Sequence, residues 1–418
     1  MTRLPERALL LLLASVMFTH IMDFMVLMPL GPQLMRSLGI NAEQFSWIVS
    51  AYTLSAGTVG LLAAPFVDRF DRRFLLLIAY AGFAAGSLAC ALAHSHMALL
   101  AARIVCGAFG GISGTLVMAI VSDVVPAERR AAGMGVIMGA FSFAAALGVP
   151  FGLWLAHQYV WEAPFILLAA LSGIMWLLIL IWLPPIRGHL TSGRQHGAAS
   201  FVELLRDPNA GRALLFMAVM VFGHFAIIPF LSPFLVSNVG IAAEHVWLVF
   251  MVGGVCSVLT TSLVGRLADR HGRHRIFYVL VAVAIVVTLT LTHLGQAPLW
   301  QVLGLAGMFF VFASGRFIPA QAIMSLAVPP SRRGAFMSLN SCARDLAAGC
   351  SAAVGGKVIS ESATGHLVHY TWMGWIAVSA AVISVWLASR VRTHEQETTA
   401  LAQATRLGYT VDAVRPAE

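Results

Sequence analysis

Gly39-Ile-Asn-Ala-Glu43 returns, with one substitution, as Gly240-Ile-Ala-Ala-Glu244, 201 residues later. Working outward, the same offset holds on both sides. Pro32 returns as Pro233, and Asp68-Arg69 with Arg72 returns as Asp269-Arg270 with Arg273. One constant offset through separate segments marks two parallel copies of a half.

Composition places both copies in a membrane. Hydrophobic residues make up 59% of the 418 residues and charged residues 11%, against about a quarter charged in a soluble domain. The apolar residues fall in twelve blocks, at 8–34, 45–67, 74–93, 97–121, 131–156, 163–183, 212–236, 245–266, 275–294, 299–327, 333–358 and 369–391. Each is long enough to cross about 30 Å of hydrocarbon as a helix. Barrel strands would alternate polar and apolar residues over about ten positions, and no such pattern is present. Gly82 with Gly86, the run from Gly107 to Gly114, and Gly148 with Gly152 let helices approach closely in lipid. The expected fold is all-α and polytopic, with twelve transmembrane helices in two pseudo-symmetric six-helix bundles. The expected divisions are a first bundle at 1–183, a linker at 184–211, a second bundle at 212–392 and a tail at 393–418.

The net charge of +8 does not call for a nucleic-acid partner, because of where it lies. Arginines cluster in alternate loops, while the opposite loops hold only Arg36 and Lys357. By the positive-inside rule both termini are cytoplasmic. Arg3 and Arg7 precede a first apolar run too long for a signal peptide, so it reads as an uncleaved span. The five cysteines fall inside expected helices at no metal-ligand spacing and read as buried free thiols. His94 and His96 share an outer loop without a third ligand, so no metal is expected.

Ionisable residues inside the spans carry the functional signal. A charge at the helix centre costs about 2.5–3.5 kcal/mol on insertion scales, so it faces a cavity or a partner. Such residues are Asp23 in span 1, Arg103 in span 4, His224 in span 7, Arg316 in span 10, and Arg344 with Asp345 in span 11. Asp23 and His224 obey the repeat offset and are expected to face each other across a central cavity. Arg103 is placed to neutralise Asp23. At about 1.5 Å per residue, Arg316 and Asp345 lie about 20 Å from the cytoplasmic surface, within reach of an ion pair. Arg344 shares a helix face with Asn340 and points elsewhere than Asp345. Phe24, Met25, Phe225, Phe230, Phe309 and Phe310 are expected to line the cavity. Pro29 and Pro32 in span 1, and Pro229 and Pro233 in span 7, bend matching helices, a feature of substrate paths in repeat-built transporters.

Gly265-Arg-Leu-Ala-Asp-Arg-His-Gly-Arg-His-Arg275 resembles the loop signature of the major facilitator superfamily between spans 8 and 9. Its partner between spans 2 and 3 is Ala64-Pro-Phe-Val-Asp-Arg-Phe-Asp-Arg-Arg73, with Ala64 and Asp71 where that family usually has Gly. Arg103-Ile-Val-Cys-Gly107 is similar to the family's buried-arginine motif, with Cys106 where Gln is common. Gly148-Val-Pro-Phe-Gly152 looks like a shortened antiporter signature of the drug–proton exporters, and the sugar- and arabinose-efflux-like permeases are the group most resembled. Trp161-Glu-Ala-Pro-Phe165 resembles the usual Trp-Arg-x-x-Phe with Glu162 in place of Arg.

The resemblance implies that spans 1, 4, 7 and 10 line the cavity. It also implies that Asp68, Arg69, Arg72, Asp123, Asp269, Arg270 and Arg273 form a cytoplasmic gate, with Asp68 against span 11 and Arg72 against Asp123. It implies a multi-pass protein of a bacterial inner membrane. The expected function is secondary active export of a small organic solute by proton-coupled antiport with alternating access. Asp23 is the proton site; Gly148, Pro150 and Gly152 bear on direction. Expected partners are the solute, protons and lipid, in a monomer without cofactor beyond the proton gradient. Symport or facilitated import by the same fold stays open. A polytopic membrane enzyme is a further class, but no catalytic constellation or phosphate loop supports it.

Overall fold

The computed structural model describes residues 5–67, 69–126, 129–187, 203–204, 206–329, 332–362 and 365–392. Span 1 is Glu6–Leu27 continued by Gly31–Leu38; spans 2, 3 and 4 are Ala42–Val67, Arg72–Ala91 and His96–Val124. Span 5 joins Arg130–Phe143 to Val149–Gln158 through a π-turn at Ala144–Gly148, and span 6 is Ala163–Trp182. In the second half, span 7 is Pro208–Phe225 continued by Ile228–Phe234 and a π-turn at Leu235–Val239. Spans 8 and 9 are Val246–His271 and Arg273–Thr292; span 10 runs Leu299–Phe309, a π-turn at Phe310–Ser314, then Phe317–Ser325. Spans 11 and 12 are Arg333–Val358 and Tyr370–Arg390.

Eleven of these spans are long and apolar enough to cross a membrane. The twelfth, Arg333–Val358, is 26 residues long but carries Asn340, Arg344 and Asp345, which lower its apolarity. Span 7 starts four residues before the apolar block does. Asp207 caps it by accepting from Asn209 and Ala210 N–H, and Pro208 stands where its missing N–H is harmless.

The repeat survives in the backbone. Gly39 (φ 61°) and Gly240 (φ 85°) both take the left-handed conformation that ends the first span of each half. Spans 1 and 7 both break at their prolines, between Leu27 and Gly31 and between Phe225 and Ile228. Breaks in lipid leave carbonyls that side chains must satisfy. Ser232 Oγ donates to Pro29 O at 2.8 Å, Tyr370 Oη to Ile227 O at 3.1 Å, and Ser351 Oγ to Phe222 O at 2.6 Å.

The halves meet along small residues. On span 2 a Cβ at Gly57 would lie 2.8 Å from Leu346 Cγ of span 11, and Gly349 and Gly356 of span 11 are filled by Leu54 and Ser46. Spans 5 and 8 touch where Gly254 meets Ala145 and Ala146, and spans 1 and 7 where Gly31 meets Pro233. These last two contacts lie on the side away from the arginine-rich loops. On the arginine side Leu62, Phe66, Leu259 and Leu263 are exposed. A two-stranded hairpin, Ser360–Glu361 with Leu367–Val368, closes the loop between spans 11 and 12. Asn238 pins it to span 7 through Leu367 N and O, both at 2.9 Å. Of the cysteines, Cys90, Cys106 and Cys342 are buried, whereas Cys256 is partly exposed and Cys350 exposed.

The two copies of the loop signature differ in geometry. Gly272 has φ 93°, whereas its counterpart Asp71 has φ −58° and serves as N-cap, accepting from Arg73 N–H at 2.9 Å. Asp71 also accepts from Ile186 N–H at 3.1 Å and from Arg187 Nε at 2.8 Å. Its partial burial opposes ionisation. The Arg187, Ile186 and Arg73 hydrogen bonds outweigh that and hold its carboxyl below the ordinary value.

A depressed carboxyl contributes stability above the ordinary aspartate range, near pH 3.9, and loses it as pH falls through the folded value. Asp71→Ala should therefore lower the thermal midpoint of detergent-purified protein at pH 7, consistent with loss of a cap worth about 1 kcal/mol. The difference from wild type should shrink on acidification below pH 4; a gap that persists there would exclude the ionised cap. In the packing seam, Gly111→Leu drives a Cβ into the backbone of Ala56 and should cost about 1–3 kcal/mol. Gly304→Ala, with nothing within 4 Å, should leave the midpoint unchanged in the same thermal assay.

Candidate functional site

Asp23 lies on the face of span 1 that turns into its own bundle. Arg103 Nη1 of span 4 is 2.5 Å from Asp23 Oδ2, and both side chains are fully buried. Ser87 Oγ of span 3 donates to the other oxygen, Oδ1, at 3.1 Å, and Cys106 Sγ lies 3.6 Å from Oδ2. The carboxylate of span 1 is thus held by spans 3 and 4. Arg103 further stacks its guanidinium carbon 4.2 Å over the Tyr52 ring, a cation–π contact strengthened by the absence of water. Its Nε and Nη2 have no hydrogen-bond partner, so Asp23 and Tyr52 carry most of its charge compensation.

Two residues of this network escape a reading by charge alone. Tyr52 Oη lies 2.7 Å from His20 Nδ1, and His20, one turn before Asp23, is only partly buried. Gly110 leaves room for the His20 ring, since a Cβ there would sit 2.7 Å from Nδ1. A sequence signal existed: His20 is a second ionisable residue in span 1, three positions from Asp23 and so on the same face. Tyr52 gave none, because aromatic residues are common throughout the spans.

The residues following the symmetry-related pair meet at the boundary between the halves. Phe24 and Phe225 keep the 201-residue offset, and their rings are 5.5 Å apart. Asp23 and His224 therefore do not face each other. Each precedes a boundary phenylalanine on its helix, and about 100° of helical rotation per residue turns it inward. His224 packs on Phe309 and Phe317, at 5.9 and 5.2 Å between centroids. Phe24 and Met25 are partly exposed. Phe230 and Phe310 are packing residues instead of lining: Phe230 sets edge-on to Phe45, and Phe310 fills the space left by Gly253, while Phe309 borders a small cavity within the second bundle.

The expected Arg316–Asp345 ion pair is absent. Arg316 Nε donates to Ala313 O at 3.1 Å, and the side chain borders a cavity between spans 7, 9, 10 and 12. The π-turn at Phe310–Ser314 explains the miss. An i→i+5 turn holds about one residue more than an α-turn, so the helix beyond it is rotated by about 100° relative to a straight count. Arg344 lies 6.0 Å over the Phe317 ring. Among the described residues, Asn340 Oδ1 and Arg344 Nε are buried and make no hydrogen bond, and Asp345 makes neither a side-chain hydrogen bond nor an ion pair.

Of the loop residues, Arg72 Nε is 3.2 Å from Asp123 Oδ2 and Nη1 donates to Val67 O at 3.0 Å. Arg69 lies over Phe66. Asp269 and Arg270 are exposed and Arg273 half-buried, and none of the three is in an ion pair among the described residues. Asp68 lies outside the described residues. In span 5, Pro150 cannot donate to Ala146 O. The helix passes through an i→i+5 turn there, with Val149 N–H bonded to Ala144 O. Gly148 and Gly152 then pack on span 1: a Cβ at Gly148 would be 3.2 Å from Phe18, and one at Gly152 2.7 Å from Val26. The antiporter-like motif thus abuts the helix that carries Asp23.

The family model described as Major Facilitator Superfamily matches residues 13–348 and 213–409. The uncharacterised transporter YceJ of Bacillus subtilis (strain 168) is 26% identical over 395 residues, covering 93% of this chain and 98% of its own. The vacuolar membrane amino acid uptake transporter fnx2 of Schizosaccharomyces pombe is 34% identical over 137 residues, 33% of this chain and 24% of its own. Among solved structures, a D-xylose–proton symporter superposes with a TM-score of 0.72 at 17% identity, covering 91% of this chain and 96% of its own. An inward-facing, occupied bacterial homologue of the human lysosomal transporter Spinster gives 0.70 at 15% identity, covering 94% and 98%. From the family match and the twelve-helix, twofold-repeated bundle, this chain belongs to the major facilitator superfamily of membrane transporters.

Proposed function

We propose that this transporter exports a small organic solute in exchange for protons. Asp23 takes up and releases the proton. The observation that carries this reading is the position of the Asp23–Arg103 pair: wholly buried, yet adjoining Phe24, which meets Phe225 across the boundary between the halves. Removal from water favours the protonated form of a carboxylate, while a nearby cation favours the ionised form. At this site the carboxylate is both withdrawn from water and beside a cation.

Magnitudes support coupling. Breaking a buried pair by neutralising one partner costs about 3–5 kcal/mol. A proton entering down a membrane potential gains about 2.3 kcal/mol per 100 mV. The two are comparable, so protonation of Asp23 needs a compensating event: rearrangement of Arg103 or departure of the solute. Because Phe24 follows Asp23 directly, the rearrangement is transmitted to the Phe24–Phe225 contact. His20, partly exposed, is linked through Tyr52 to the buried pair, since Arg103 stacks on the Tyr52 ring.

The arrangement of contacts supports alternating access. The halves touch at Pro29–Ser232 and Ala146–Gly254 on one side, while Asp269 and Arg270 stand exposed on the other. On the positive-inside reading this form is open to the cytoplasm of a bacterial inner membrane, with both termini there. Asp68, Arg69, Asp269, Arg270 and Arg273 would close that side in the opposite state, whereas Arg72 and Asp123, already paired within the first bundle, hold spans 3 and 4 together in this one.

A thermal-shift screen of purified protein against a metabolite and antibiotic library identifies solutes that bind the folded state. With such a solute, proteoliposomes holding a pH-sensitive dye should show solute-driven proton movement. Asp23→Asn should abolish that movement while the thermal shift by the solute survives. Unchanged coupled flux in Asp23→Asn would remove the carboxylate from the mechanism, and proton movement in the same direction as the solute would make the protein a symporter.

A further inference from the structure

Arg316 is 4% exposed and lies deep in span 10, nine residues before the last residue of that helix. Among the described residues its side chain makes one hydrogen bond, from Nε to Ala313 O. Among the described residues it has no carboxylate within ion-pair distance, in contrast to Arg103. A full charge at this depth requires a counter-charge or a wet cavity.

The space beside Arg316 has room for about one water-sized sphere, ≈ 10 Å³. Its walls are largely small or apolar, including Gly223, Ala284, Ala313 and Ala377. Among the described residues, the polar side chains on them are the Arg316 guanidinium, the His224 imidazole and the Thr288 hydroxyl. His224 Nδ1 is buried and has no partner. No carboxylate or amide side chain lines the space. Guanidinium is donor-only, and the imidazole and the hydroxyl can each donate one hydrogen bond inward. A fixed positive charge beside two further donors, in a space this small, suits an occupant that only accepts. All walls come from spans 7, 9, 10 and 12, so the occupant is held within the second bundle, apart from the Phe24–Phe225 boundary.

We propose that this cavity binds chloride, as the resident counter-ion of Arg316, with hydrogen bonds from His224 and Thr288. The site is independent of the proton reading, because Asp23 and Arg103 belong to the other bundle. Chloride and bromide are both somewhat larger than water, so the apolar walls must give slightly to seat either; gluconate is far larger.

The test uses full-length protein in detergent, exchanged into gluconate and titrated with chloride at constant ionic strength. Wild type should show a saturable rise in thermal midpoint of about 3–6 °C, reproduced by bromide. Arg316→Gln should be flat, Thr288→Val should need several-fold more chloride, and Asp23→Asn should respond as wild type. A wild type indifferent to the exchange, or an Arg316→Gln protein that responds as wild type does, overturns the proposal. Should Arg316→Gln fail to fold, crystals of wild type grown in bromide decide the matter. An anomalous peak between Arg316, His224 and Thr288 supports the site, and an empty space there, with bromide resolved elsewhere, overturns it.

Discussion

A carboxylate and a guanidinium 2.5 Å apart, both sealed from water, impose the tightest constraint in this molecule. Neither survives alone in hydrocarbon at reasonable cost, so spans 1, 3 and 4 must stay close enough to hold both. The glycines around the pair provide that closeness. Gly86 abuts Cys106, Gly107 abuts Tyr52 and Gly111 abuts Ala56. Helix separation in the first bundle is therefore set by the same residues that keep the charge pair dry. Phe24 ties the packed unit to the second bundle.

The second bundle repeats the backbone but not the chemistry. His224 stands where Asp23 has its counterpart, with aromatic rings around it where Asp23 has Arg103 and Ser87. Duplication thus leaves two bundles of similar shape and unlike electrostatics. The first holds a compensated pair near the boundary, and the second holds Arg316 and Arg344 with one acid, Asp345.

Spans were legible because hydrocarbon accepts only long apolar helices, and their ends were displaced by a few residues where caps such as Asp207 lie. The Asp23–Arg103 pairing was legible for a related reason: two lone charges at similar depth in one bundle have few other partners. Directions of side chains were less so. A straight helical count cannot foresee the π-turn before Arg316, since nothing in Phe310–Ser314 breaks the apolar pattern. The same count overlooked that Asp23 and His224, being symmetric, both turn inward while their neighbours Phe24 and Phe225 meet. The His20–Tyr52 link depends on the groove at Gly110, which only packing reveals.

Asp71 has a further consequence for how the bundles move. With Ile186 N–H and Arg187 both fastened to its carboxylate, and Leu180 O held by Arg73 Nη2 at 2.6 Å, the start of the connector is stitched to the first bundle. Its counterpart Gly272 has no side chain with which to do the same. As far as Arg187, the chain after span 6 is therefore mechanically part of the first bundle and not a free link between the two.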